Sequence, residues 1–205
     1  MLVGITALVL ALLVILGPLL GKDLKAAVGD PTFDAVKRGD LPVVAGWLSY
    51  VGVLWWWSAA TSSLLAAWLL RGRVAPQRFL VSAGLLSAGL GLDDLYLVHD
   101  LLWRRLTGLS EALVVLAWVL AISLWAFWQR AELGRNRRLP LLWLAGVALA
   151  SSLVVDQVIP RAEGATVPED SAKLMGIGLW SAFHIGFAAA AVREHLGTWS
   201  GESRR

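Results

Sequence analysis

The chain has 205 residues, of which 58% are hydrophobic and only 16% charged. A soluble domain averages about 45–50% apolar and about 25% charged residues, so a soluble globular protein is excluded. With no cysteine, disulfides, thiol catalysis and Cys-type zinc sites are excluded as well.

The apolar residues fall in runs of about 20, the length that crosses a bilayer core. In chain order the first span covers residues 2–20. It lacks the basic leader and the Ala-x-Ala cleavage pattern of a signal peptide, so it reads as a retained helix. Lys22–Pro42 is a polar loop with turns at Gly29-Asp30-Pro31 and Gly39-Asp40. The second span, 43–70, carries Trp55-Trp56-Trp57, read as apolar bulk against lipid or neighbouring helices. Arg71, Arg73 and Arg78 bracket Pro76 in a short basic loop.

The third span, 79–103, holds the stretch Gly91-Leu-Asp-Asp-Leu-Tyr-Leu-Val-His-Asp100. Ionisable groups at membrane depth are costly to insert, so they face a bundle interior and mark function. Arg104–Leu109 reads as a tight turn, and Ser110 as the cap of a fourth span, 110–128, with Glu111 in its first turn. Arg130, Arg135, Arg137 and Arg138 form the most basic loop. Pro140 opens a fifth span, 140–159, and Pro168 a sixth, 169–192, before a short polar tail. The expected fold is all-α, one transmembrane domain over residues 1–205 built as a bundle of six spans.

Arginine-rich loops after spans two and four and at the C-terminus orient the chain with both termini cytoplasmic. The pI near 9.7 thus follows from topology and implies no nucleic-acid partner. On this topology Asp93, Asp94 and Asp156 share the outer third of the membrane. His99, Asp100, Glu111, Glu169, Asp170 and Lys173 lie nearer the outer surface. The layout of spans three and four, an embedded Asp then a Glu at the next helix start, recurs in spans five and six. It has the form of a duplicated helical hairpin.

At about 100° per residue an unbroken helix puts Asp93, Tyr96 and Asp100 on one stripe with His99 on its flank. Asp94 points about 100° away, toward a different helix. Glu169 and Asp170 neighbour Lys173, which can neutralise one of them. His184, mid-span, reads as a packed histidine, and His195 as a solvated tail residue. Gly84, Gly89, Gly91, Gly176 and Gly178 read as close helix contacts.

Asp93-Asp94-x4-His99-Asp100 resembles the transmembrane helix of an uncharacterised family of bacterial polytopic membrane proteins, in which Glu usually stands where this chain has Asp100. The likeness includes Gly46–Trp55, Glu111 and Glu169-Asp170-x-x-Lys173-x-x-Gly176. The resemblance implies a bacterial inner-membrane location and transfers no activity. Three histidines and no His-x-x-x-His pair separate the chain from membrane ceramidase-like hydrolases. The spacing around Asp93-Asp94 departs from that of membrane prenyltransferases.

Three functions compete. The first is an enzyme acting on a lipid or isoprenoid-like substrate. Asp93, Asp100, Asp156, Glu169, Asp170 and Glu111 would offer oxygen ligands to Mg²⁺, Ca²⁺ or Mn²⁺, while Asp94 or His99 acts as base, Lys173 stabilises negative charge and Tyr96 donates. A metal-free version uses a carboxylic acid as proton donor. The second is a cation or proton-coupled transporter or channel. The third is a structural or accessory subunit whose acids brace helices or meet a membrane partner or a second copy. The topology makes its own test: a cysteine placed at Arg161 is expected to label from the periplasm in intact cells. Labelling only after permeabilisation would invert the orientation.

Overall fold

A single glycine makes the first hairpin. Gly72 takes φ 93°, a left-handed conformation open to glycine, and turns the chain between helices α1 (Trp47–Leu69) and α2 (Val74–Tyr96). The computed structural model describes residues 47–72, 74–98, 102–158 and 166–202. Leu48–Arg205 forms one compact unit; Met1–Trp47 forms another, and span one falls there, outside the described residues. After α2 come α3 (Trp103–Thr107), α4 (Ala112–Trp128), α5 (Arg130–Gly134), α6 (Leu139–Val158) and α7 (Thr166–Glu202). The described residues contain no strand, so the chain is all-α there as expected.

Two helices are long and apolar enough to cross a membrane, over Ala75–Tyr96 and Ser171–Gly197; Ala112–Trp128 and Leu139–Val155 are shorter apolar helices. The boundaries correct the sequence reading in four places. Helix α2 starts at Val74, ahead of the expected Phe79, because Pro76 falls in its first turn, where no backbone N–H is required. It ends at Tyr96 instead of running on to Trp103: Leu97 adopts φ 51°, and the Leu102 N–H closes on the Leu97 carbonyl at 3.0 Å. The expected tight turn after Trp103 is the short helix α3, closed by Gly108 at φ 72° with its N–H on the Arg104 carbonyl. Helix α7 runs 37 residues, about 55 Å at about 1.5 Å each, and takes in the polar tail. Ala189–Ala191, Arg193, Glu194 and Leu196 all favour helix, and nothing after Val192 stops it. The N-cap of α4 is Glu111 and not the expected Ser110, which stands one residue earlier with its Oγ accepting the Ala112 N–H at 3.2 Å.

Helix α2 is central. Beside α1 it presents Gly84 to Leu64 and Gly91 to Trp56; beside α4 it presents Gly89 to Trp118. Each pairing falls in number on one helix as it rises on the other, so these neighbours run antiparallel. Phe79 meets Trp125 of α4 at 5.5 Å and Phe187 of α7 at 4.2 Å between ring centroids. Helix α7 lies against α6 through Gly176 and Leu149, and against α1 through Gly178 and Trp55. These are the small-residue contacts the sequence implied; in an apolar solvent such close approach, not water exclusion, holds helices together. His184 is fully buried, its Nδ1–H donating to the Trp180 carbonyl at 2.9 Å among Phe79, Trp125, Trp180 and Phe183. His195 is half-buried along α7, not the solvated tail residue expected.

A Cβ at Gly178 would strike the Trp55 ring, whereas one at Gly146 meets nothing within 4 Å. Gly178→Ala is therefore expected to destabilise the bundle by about 1–3 kcal/mol. Gly146→Ala should be neutral or slightly stabilising, and thermal unfolding in detergent checks the contrast.

Candidate functional site

Position along α2 decides which way each polar side chain faces. Seven residues of α-helix turn about 700°, nearly two full turns. Ser82, Gly89 and Asp93 therefore share the side toward α4, while Ser87 and Asp94 point about 120–140° away, toward α1 and α7. The contacts follow this arithmetic. The Ser82 hydroxyl accepts the Trp125 indole N–H and a Gln129 amide N–H, both at 3.0 Å. The Ser87 hydroxyl accepts the Trp180 indole N–H at 2.9 Å.

Asp94 joins three helices. Its Oδ2 accepts the Trp56 indole N–H at 2.8 Å, and its Oδ1 pairs with Lys173 Nζ at 2.9 Å. Trp56 is only 3% exposed and meets Trp180 edge-on at 5.7 Å. An indole taken out of water needs an acceptor, which Asp94 supplies, and Lys173 compensates the charge of this half-buried carboxylate. Both carboxylate oxygens are engaged, so Asp94 is an anchor more than a free base.

Asp93 is the other carboxylate, 7% exposed and in the wall of a cleft of about 460 Å³. Leu92 and Gly89 of α2, Trp103 of α3, and Leu113 and Trp118 of α4 line the same cleft. Gly89 matters because any side chain there would run into Trp118. The Trp103 indole nitrogen is buried with no hydrogen-bond partner among the described residues. A cleft of this kind accepts a hydrocarbon body and offers one carboxylate to its polar end.

The remaining expected site residues divide as follows. Tyr96 is the last residue of α2 and half exposed. Glu111 stands at the start of α4 without a side-chain cap bond. His99 and Asp100 lie outside the described residues. Asp156 belongs to α6 and Glu169 and Asp170 to α7, with their side chains outside what is described. The stripe drawn through Asp93, Tyr96 and Asp100 is corrected: it requires an unbroken helix, and the turn at Leu97 interrupts it. Of the six proposed metal ligands, only Asp93 and Glu111 have described side chains. Among the described residues no group of three His, Cys, Asp or Glu is placed to hold a metal ion.

The sequence reading missed the tryptophans. Trp56 reads as apolar bulk in the sequence and Trp103 and Trp118 carry no motif there, yet Trp56 holds one carboxylate and the other two wall the cleft around the second. The available signal was chemical: a tryptophan inside an apolar bundle must find an oxygen, and α2 carries the acceptors.

The model of a protein family, described as a domain of unknown function (DUF8692), matches residues 2–187. The chain belongs to that family. No curated protein and no solved structure matches it. The family match takes in the Asp93–Asp94 pair, the cleft and Lys173 together.

Changing either partner of the Asp94–Lys173 pair removes a charge-assisted contact between α2 and α7. Asp94→Asn and Lys173→Met are each expected to lower stability by about 1–3 kcal/mol, Lys173 being the more exposed partner. The double variant should lose less than the two together, with a coupling of about 0.5–3 kcal/mol in a double-mutant cycle. Additive losses would mean that the pair carries no coupling.

Proposed function

We propose that the protein is a six-span inner-membrane protein that takes a lipid or isoprenoid-like molecule into the cleft beside Asp93, and acts on its polar end as an enzyme. One observation carries this reading: a buried carboxylate in the wall of an otherwise apolar cleft, which also takes in Trp103, whose indole N–H has no partner among the described residues. In this reading the apolar tail lies along Leu92, Leu113 and Trp118. Asp93 meets the head and moves its proton. Asp94, Lys173 and Trp56 are positioning residues, fixing the rotation of α2 so that Asp93 faces the cleft.

A divalent ion enters this reading only if Asp100, Asp156, Glu169 or Asp170 joins Asp93, since Asp93 and Glu111 by themselves make too small a ligand set. The bracing role once considered for all the acids is supported at Asp94, where both oxygens have protein partners. Asp93 also lines the cleft.

Native mass spectrometry with elemental analysis tests the reading on protein purified in mild detergent. Wild type should carry one lipid-like molecule per chain in the cleft, over and above any lipid retained elsewhere on its surface. Ala117→Trp, which fills the cleft, should lose it, and Asp93→Asn should weaken it by about tenfold, equivalent to about 1.4 kcal/mol. An identical lipid complement in all three folded proteins would refute the site. A divalent ion lost only in Asp93→Asn would select the metal-assisted version.

A further inference from the structure

The arginines gather at the end of the bundle opposite Asp94. Arg78, near the start of α2, lies 5.2 Å over the Trp128 ring at the end of α4. Arg130 lies 4.5 Å over Phe127, and Arg71 lies 5.6 Å over Trp68. Arg138, at the entry to α6, donates Nη1–H to the Gly186 carbonyl of α7 at 2.6 Å. The Arg78 stack joins the start of α2 to the end of α4, and Phe187 of α7 against Phe79 of α2 sets Gly186, and with it Arg138, near the same rim.

The rim is positive and largely uncompensated. Between Gln129 and Leu139 stand four arginines, Arg130, Arg135, Arg137 and Arg138, against one acid, Glu132. Glu132 is taken by Arg135 at 3.3 Å. Among the described residues no carboxylate pairs with Arg71, Arg78, Arg130, Arg137 or Arg138. A guanidinium stacked on a ring keeps its N–H edges available, and its planar fork matches phosphate oxygens.

An exposed apolar surface adjoins this charge. Leu124, Phe127 and Trp128 are exposed within two turns of Arg130, as Trp143 and Leu144 are within two turns of Arg138. A soluble anion would use the charge and leave this apolar surface bare. A molecule with an anionic head and hydrocarbon chains uses both.

We propose that this arginine–aromatic rim binds anionic phospholipid, its phosphate held by Arg78, Arg130 and Arg137 and its acyl chains lying along Leu124, Phe127 and Trp128. The proposal rests on the membrane reading above and is independent of the cleft at Asp93. It places a specific lipid contact at the junction of α2, α4 and α5, on the far side of the bundle from the candidate site.

The test is native mass spectrometry of the full chain in neutral detergent, titrated with dioleoyl phosphatidylglycerol or dioleoyl phosphatidylcholine. Wild type should retain the anionic lipid by about fivefold over the zwitterionic one, the scale of a single arginine at a charged surface. Arg130→Gln with Arg137→Gln should bring the two lipids to parity, while Arg130→Lys with Arg137→Lys keeps part of the preference. Should the double glutamine variant misfold, Arg137→Gln alone, whose side chain makes no described contact, should still reduce the preference. Parity in wild type, or an unchanged preference in a folded glutamine variant, overturns the proposal. So does full displacement of the lipid by soluble glycerol phosphate, which would make the rim a free-anion site. Asp93→Asn should keep the preference, so failure at the cleft and failure at the rim read out separately. Wild type that stays dispersed in buffer without detergent would remove the membrane reading and this proposal with it.

Discussion

Three indole N–H groups end on oxygens of α2. Trp125 of α4 reaches Ser82, Trp180 of α7 reaches Ser87, and Trp56 of α1 reaches Asp94. Each of these tryptophans is buried, and an indole N–H without an acceptor there is a standing penalty. The bonds come from three different helices and meet α2 at three depths. Rotating α2 by even one residue would break all of them together. The orientation of the central helix, and with it everything α2 displays, depends on this set of bonds.

Two adjacent carboxylates acquire different roles from that constraint. Asp94 is drawn into the bundle and saturated by Trp56 and Lys173. Asp93, one residue back, is turned about 100° toward α4 and reaches the cleft. Trp103 of α3 adds the third wall. Helix α2 ends before it, at Tyr96, where Leu97 takes φ 51°. A leucine at φ 51° is a sparsely populated conformation held by its surroundings, and such residues gather at functional positions.

The bundle is also polar along its length. The end at Asp93 and Asp94 carries one buried and one half-buried acid, an ion pair and an apolar cleft. The other end carries stacked arginines with exposed aromatic flanks. That separation is the layout expected of helices in a bilayer, with the basic rim at one face and the ionisable groups of the interior displaced toward the other. Helix α7 threads both ends. It supplies Lys173 at one, and at the other it receives Arg138 on its Gly186 carbonyl before extending as helix to Glu202.

Much of this was written in local patterns. Apolar runs, Pro140 and Ser110 located helices α1, α4 and α6 to within a few residues, because these signals act on the nearest turn of chain. The glycines of α2 and α7 announced close packing, and the 100° step between Asp93 and Asp94 announced that they would part. What the sequence left open depended on distant neighbours. Whether α2 continued past Tyr96 turned on a single backbone conformation at Leu97 that no motif marks. Lys173 reads as the partner of acids on its own helix, yet its ammonium also reaches Asp94, 79 positions away in the chain. The tryptophans looked like bulk because an indole reads as apolar until its N–H has been given an oxygen. The sequence by itself determined helices and the directions of their side chains, since both follow from a fixed turn per residue. Only the tertiary structure decided which side chains meet, since that depends on how the helices lie against one another.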